Sequence, residues 1–469
     1  MSKASDTYIV GDERDLYEKR KKIRPKKVSG RFNTLRTLSV WLLLGIYYLG
    51  PWLTWNGRQA ILFDLPARQF HIFGLTLWPQ DFIFLTLLLI IAAMALFFFT
   101  SVAGRLWCGY ACPQTVWTQA FIWMERLVEG DRNKQVKLEK QKWNAEKIWK
   151  KFAKHSLWIV FALFTGYTFV GYFTPIKELT QEILTFSTGP WETFWVLFYS
   201  FATWGNAGKL REQVCIYMCP YARFQSSMFD KDTLIIAYDE KRGESRGARK
   251  KDLSQAEYNE QGLGDCIDCM QCVHVCPTGI DIRDGLQYEC IACAACIDVC
   301  DQVMEKMGYE KGLVRYTTEH RDEGKDVKLF RGRTIGYGSI LILASLIFVA
   351  SVWFRTPLEL DIIKDRNRLY MTNAEGYIEN IYKLRILNKD QKAHQYTISI
   401  SGIDEAQYQG PAQVTVQSGA ADTVPIRVAI DPYHLKKSSQ ELTITVKSID
   451  DESLTVSEPA RFISPARRR

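Results

Sequence analysis

CIDCMQCVHVCP at residues 266–277 and CIACAACIDVC at residues 290–300 decide how this chain is read. Eight of its twelve cysteines lie in these two runs, spaced Cys266-x2-Cys269-x2-Cys272-x3-Cys276 and Cys290-x2-Cys293-x2-Cys296-x3-Cys300. Iron in a cubane cluster needs four soft thiolates, and a two-residue gap lets consecutive sulfurs converge on one small cluster. In the two-cluster arrangement, three close cysteines wrap one cluster while the fourth of each run reaches across to the other. The spacing therefore predicts one [4Fe-4S] cluster on Cys266, Cys269, Cys272 and Cys300, and a second on Cys290, Cys293, Cys296 and Cys276. Zinc is the competing reading, but structural zinc usually shows two CxxC pairs with a long gap between them. Here a third cysteine follows at the same step and the whole unit repeats. Asp301, where the first run has Pro277, changes the turn but removes no ligand.

Around these runs lie apolar stretches of near-membrane length. Spans are expected near 35–55, 82–100, 157–174, 188–207 and 335–354, the fourth being short and aromatic, with a re-entrant helix as its alternative. Basic residues set the orientation. Lys19 to Arg36 and the connection from Arg105 to Lys154 are heavily basic, whereas 55–81 and 174–190 are not. The N-terminus and the cysteine runs are thus expected in the cytoplasm and the C-terminal region outside. All twelve cysteines fall between positions 108 and 300, as suits thiolates in a reducing compartment. The net charge of +8 then requires no nucleic acid, because the basic excess sits where it meets anionic lipid. Residues 133–154 read either as a helix on the membrane face or as a solvated one. A polar tail precedes the first apolar run, so a retained span is expected there rather than a cleaved signal peptide.

The fold class predicted is a multidomain membrane protein: a five-span α-helical bundle, an inserted α+β domain of the bacterial ferredoxin type, and a C-terminal β-sandwich. Its divisions are a basic tail at 1–34, the bundle at 35–229, a charged connector at 230–261, the cluster domain at 262–330, the last span at 335–354 and the β domain at 360–469. Period-two alternation such as Tyr382, Leu384, Ile386 and Leu442, Ile444, Val446 marks the strands. His394 and His434 are too isolated there to act as ligands.

The remaining cysteines form Cys108-x3-Cys112-Pro113 and Cys215-x3-Cys219-Pro220, each just past a span. With Gly104-Arg105-Leu106 before one and Gly208-Lys209-Leu210 before the other, they read as an internal repeat. Proline disfavours helix at the preceding residue yet suits the first helical position, so each pair is expected at a break between helices. Four thiolates gathered there could hold copper, zinc or another cluster, act as redox thiols, or be buried structural cysteines.

The stretch Arg105-Leu106-Trp107-Cys108-Gly109-Tyr110-Ala111-Cys112-Pro113, its partner at 215–220, the two cluster runs and the terminal β domain together resemble the FixG/CcoG/RdxA family of cytochrome c oxidase accessory proteins. The resemblance implies a bacterial inner-membrane protein that assists assembly of a cbb-type oxidase by reducing Cu(II) to Cu(I). It also implies an immunoglobulin-like exported domain, and oxidase subunits, copper chaperones or copper transporters as partners. In that reading electrons pass from the two clusters to a copper ion on Cys108, Cys112, Cys215 and Cys219. Two other classes compete: a quinol-dependent electron conduit of the nitrate-reductase accessory type, and a docking scaffold with structural clusters. No dinucleotide-binding glycine fingerprint is present. A flavoprotein, a ferredoxin, a quinol or glutathione all suit as electron donor, and homo-oligomerisation is left open.

Overall fold

The computed structural model describes residues 22–249, 258, 262–365, 368–435 and 437–465. Its chain falls into two compact units. Residues 1–21, with Lys19, Arg20 and Lys21 of the expected basic tail, and Lys250 and Lys251 of the connector lie outside the described residues.

The first unit comprises residues 1–49, 92–170 and 188–341. Helix α1 is Arg31–Leu49; α2, Phe82–Ala103, enters the unit with its C-terminal half and stops at Gly104, whose φ of 55° no continuing helix can hold. Next come α3 (Leu106–Tyr110), α4 (Pro113–Glu129), α5 (Ala145–Val170), α6 (Pro190–Thr203) and α7 (Pro220–Met228). The stretch expected as a short fourth span is α6 continued without a break by a π-helical segment, Trp204–Leu210. Helices α5 and α6 cross closely, because Gly166 has no side chain where a Cβ would run into Ser200 Oγ and the Val196 carbonyl. Helix α1 joins them through Tyr47, whose hydroxyl donates to the Thr165 carbonyl at 2.9 Å, and through Tyr48, paired with Thr165 Oγ1 at 2.7 Å.

Among the described residues two helical segments are long and apolar enough to cross a membrane, the 25 residues Pro79–Ala103 and the 22 residues Gly332–Trp353. The other three expected spans fall on α1, α5 and α6, which are shorter or more polar. Each still turns large apolar side chains outward: Trp41, Leu42, Val160, Leu163, Leu197 and Phe201 are all exposed.

The cluster domain closes the first unit. Strand β1 (Ile235–Tyr238) pairs antiparallel with β2 (Val314–Thr317), from Ile235 opposite Thr317 to Tyr238 opposite Val314. Two helices, α8 (Gln271–Val275) and α9 (Ala295–Met307), pack on this ribbon over Ile236, Ala294, Ile297, Met304 and Leu313. The connector expected at 230–261 thus begins inside the domain as β1. Its basic stretch is also anchored, for the Asp239 side chain caps a helical turn by accepting from Arg242 N, and Arg242 Nε donates to Asp265 at 2.5 Å.

The second unit comprises residues 50–91, 171–187 and 342–469. Its β domain stacks two antiparallel sheets. One contains Leu358–Lys364, Ile378–Asn388, Gln407–Gln409 and Ala421–Ile430; the other contains His394–Ser401, Gln413–Val416, Ser439–Ser448 and Thr455–Ile463. Alternate residues point inward, so Leu384, Ile386, Tyr396, Val428, Ile444 and Phe462 form one core. The sparsely basic connection at 55–81 contains a small sheet of Ile61–Asp64, Gln69–Ile72 and Leu75–Leu77. Asp81 at its end, buried, pairs with Arg355 at 2.7 Å and Lys389 at 3.0 Å.

Substituting Gly166→Val inserts a branched side chain into the α5–α6 crossing. Overpacking of this kind costs about 1–3 kcal/mol, so the variant should melt several degrees below the parent in detergent micelles, as followed by a thermal-shift assay.

Candidate functional site

The two cysteine runs adopt one backbone shape twice. In the first, Asp268 and Met270 flank Cys269 with φ of 52° and 55°; in the second, Ala292 and Ala294 flank Cys293 with φ of 52° and 58°. A left-handed residue on each side of the middle cysteine curls the chain so that successive sulfurs and backbone N–H groups face one cavity. Cys266, Cys269, Cys272 and Cys300 line the first such cavity. Cys276, Cys290, Cys293 and Cys296 line the second, with Cys272 at its edge. Cys300 comes from α9 and interacts electrostatically with Cys266, Cys269 and Cys272, while Cys276, from the end of the first run, does so with Cys293. Burial pushes the Cys272, Cys290 and Cys300 thiols up to about 12. Bare thiolates are therefore costly there, and iron bound by these cysteines would supply the compensating positive charge. These two donor sets fit cubane clusters in ligand number, softness and enclosure.

The CxxxCP segments lie in the same unit and repeat each other's shape. Gly104 and Arg211 each stand four residues before the first cysteine, and both have left-handed backbones, with φ of 55° and 49°. Cys108 lies in α3 and Cys215 in the π-helical Val214–Met218, while Cys112 and Cys219 precede α4 and α7 with extended backbones that let Pro113 and Pro220 open those helices. The structural register therefore aligns Gly104 with Arg211. The alignment of Gly104-Arg105-Leu106 with Gly208-Lys209-Leu210 is displaced by three residues, because the π-helical turn at 204–210 lengthens the second helix beyond its sequence match.

Cross-bonds join the two copies. Gln114 Nε2 donates to the Arg211 carbonyl at 3.1 Å and to the Asn206 carbonyl at 2.9 Å. Arg105 Nη2 donates to the Ala222 carbonyl at 2.6 Å, and the Cys108 thiol donates to Gln225 Oε1 at 3.4 Å. All four thiols consequently lie within electrostatic reach of one another. Burial pushes Cys108 up to about 11 and Cys215 up to about 12.

This pair of loops rests on the second cysteine run. A Cβ on Gly109 would stand 2.7 Å from the Ile291 carbonyl oxygen and 3.0 Å from that of Ala292. Cys108 packs against the cluster of Ile291, Cys293, Ala295 and Val299. Tyr316 donates to the Ala292 carbonyl at 2.6 Å, and its hydroxyl stands 3.4 Å from that of Tyr110. Arg105, 5% exposed, also donates to the Tyr288 carbonyl and acts on both Cys108 and Cys290. One guanidinium thus lies between the four-thiol site and the second cluster cavity.

A buried ion network holds the second loop. Arg211 Nη2 pairs with Glu125 at 2.6 Å, and Lys154 pairs with Glu129 at 2.8 Å. Burial alone would raise the Glu125 carboxyl, but Arg211 and Lys22 outweigh it and hold the group down to about 2. Arg105, Gln225, Gly109 and the Glu125–Arg211 pair escape a reading based on cysteine spacing. The available signals are an arginine beside the first CxxxCP and two acids, Glu125 and Glu129, inside an otherwise amphipathic helix.

Comparison with known proteins covers the same segments. Residues 85–130 match a family described as a 4Fe-4S binding domain, 210–319 a 4Fe-4S dicluster domain, and 348–465 the IG-like fold at the C-terminal of FixG. Protein RdxB of Cereibacter sphaeroides is 44% identical over 400 residues, which cover 82% of this chain and 83% of RdxB. The chain belongs to the FixG/RdxA family. RdxA of the same organism is 42% identical over 403 residues, covering 82% of this chain and 84% of RdxA. The nitrogen fixation protein FixG of Rhizobium meliloti is 37% identical over 437 residues, covering 85% and 83%. A crystal structure of a FixG-related protein from Vibrio parahaemolyticus matches 23% of this chain and 97% of its own at 25% identity, with a TM-score of 0.22. As a FixG/RdxA protein the chain is an iron-sulfur electron-transfer protein with an immunoglobulin-like C-terminal domain.

Glu125→Gln leaves Arg211 and Lys154 facing a neutral partner. Breaking a buried pair costs about 3–5 kcal/mol, and the variant should unfold correspondingly earlier. Because the folded carboxyl lies below its unfolded value, its stabilisation is complete above about pH 5 and fades as pH falls from there toward 2. Parent and variant melting curves should therefore converge only in that acidic window.

Proposed function

We propose that the protein is a multi-pass membrane cupric reductase serving assembly of a cbb-type oxidase. Cys266, Cys269, Cys272 and Cys300 ligate one [4Fe-4S] cluster, and Cys276, Cys290, Cys293 and Cys296 the other. A one-electron carrier, either a reduced flavoprotein or a ferredoxin, supplies the first cluster from the cytoplasm. The second cluster passes each electron to the site of Cys108, Cys112, Cys215 and Cys219, where Cu(II) accepts one electron and leaves as Cu(I). The contact of Gly109 and Cys108 with the Ile291–Cys293 backbone carries this reading, since it offers an unbroken packed path from cluster to thiols.

The exposed apolar faces of α1, α5 and α6, added to the two long apolar helices, support a five-span bundle. The basic residues around residues 22–36 and 105–154 support cytoplasmic clusters and a periplasmic immunoglobulin-like domain. That domain then meets oxidase subunits or copper carriers.

The test is an anaerobic titration of the reduced protein with Cu(II), following the clusters by EPR while a Cu(I) chelator reports product. Cluster oxidation should match Cu(I) one for one. Clusters that stay reduced in the presence of copper, yet oxidise with a quinone analogue, would move the protein to a quinone-linked path.

A further inference from the structure

We infer that Cys108, Cys112, Cys215 and Cys219 hold a third [4Fe-4S] cluster, shared between the two CxxxCP copies and in line with the ferredoxin pair. The inference rests on reading these thiols as the end of the electron path, and it deepens that reading by making copper the cargo reduced there rather than the resident metal.

Three observations carry it. First, the donor set offers four cysteines, brought together by cross-bonds between two segments, the number found in each ferredoxin set. Second, each of these four thiols lies within electrostatic reach of the other three, as Cys300 does with Cys266, Cys269 and Cys272 at the first ferredoxin cavity. Third, a buried N–H group near Cys108 lacks an acceptor. Arg105 Nε has no hydrogen-bond partner among the described residues, on a side chain 5% exposed. Buried orphan donors are rare, and the bridging sulfides and thiolates of a cluster are acceptors for them. The iron-sulfur family models also extend over both segments, residues 85–130 and 210–319.

A cubane there takes one electron from the second ferredoxin cluster and passes one to Cu(II), so no proton or leaving group is required. Arg105, acting on both Cys108 and Cys290, offsets the negative charge of the two neighbouring clusters.

The experiment measures iron and acid-labile sulfide per chain in the full-length protein, purified in detergent and reconstituted anaerobically, with Mössbauer and EPR spectra. We expect about twelve irons per chain, four for each cubane, falling to about eight in Cys108→Ser/Cys215→Ser with the ferredoxin signals intact. In the unaltered protein, a dithionite-reduced EPR titration should resolve a third paramagnetic centre, which keeps the test valid if the double variant does not fold. About eight irons in the unaltered protein, with or without one copper bound, overturns the inference even if copper reduction persists. About twelve irons with no copper reduction overturns the cupric reading and leaves this one standing.

Discussion

Everything in the first unit depends on one close approach, that of Gly109 to the carbonyls of Ile291 and Ala292. Any side chain at 109 would hold the CxxxCP loop off the second cysteine run, and no other residue type offers zero volume there. The same contact explains the neighbouring polar groups. Once the two backbones meet, the Ala292 and Tyr288 carbonyls are removed from water, and they are satisfied by Tyr316 and Arg105. Asp298, on the helix that follows the second run, accepts from Asn33 N at 2.7 Å and Phe32 N at 3.2 Å and so caps α1. The cluster domain is thereby tied to the helices at both the loop and the start of α1.

Charge is the second constraint. Sets of four buried thiols close together carry like charge whenever they ionise, and a cation lying between two such sets lowers that cost. Arg105 fills that place and is fixed by two carbonyls rather than by a carboxylate, so its charge is not spent on a neighbouring acid. Arg211, at the matching end of the other copy, has the opposite fate, being neutralised by Glu125. The repeat is therefore symmetric in backbone and asymmetric in charge, with its positive side turned toward the second cluster cavity.

Much of this was legible in the residues. The cysteine spacing carries its own geometry, because a ligand must follow at a step that keeps sulfur on one side, and the alternation of Leu442, Ile444 and Val446 states which face is buried. The prolines after Cys112 and Cys219 announce helix starts. What could not be read was anything joining distant segments: that α3 lies on Ile291–Cys293, that Gln114 bonds the Arg211 carbonyl, or that Asp298 caps α1. The register of the internal repeat was also hidden. Gly104 and Arg211 do the same conformational work with unlike side chains, and a glycine-for-glycine match draws the eye to Gly208, which instead faces Phe121 and Trp158 at the helix crossing.

The division of the ligands has a consequence for assembly. The eight ferredoxin cysteines lie between positions 266 and 300, so their cavities close over short loops at small entropic cost. Cys108 and Cys112 are separated from Cys215 and Cys219 by about a hundred residues, including α4, α5 and α6. The segments that carry those four thiols are joined through the same elements that make the α5–α6 crossing at Gly166 and the Glu125–Arg211 pair. The two ferredoxin sets therefore have the local structure to take up iron before the bundle is complete, whereas the four-thiol site exists only in the finished bundle.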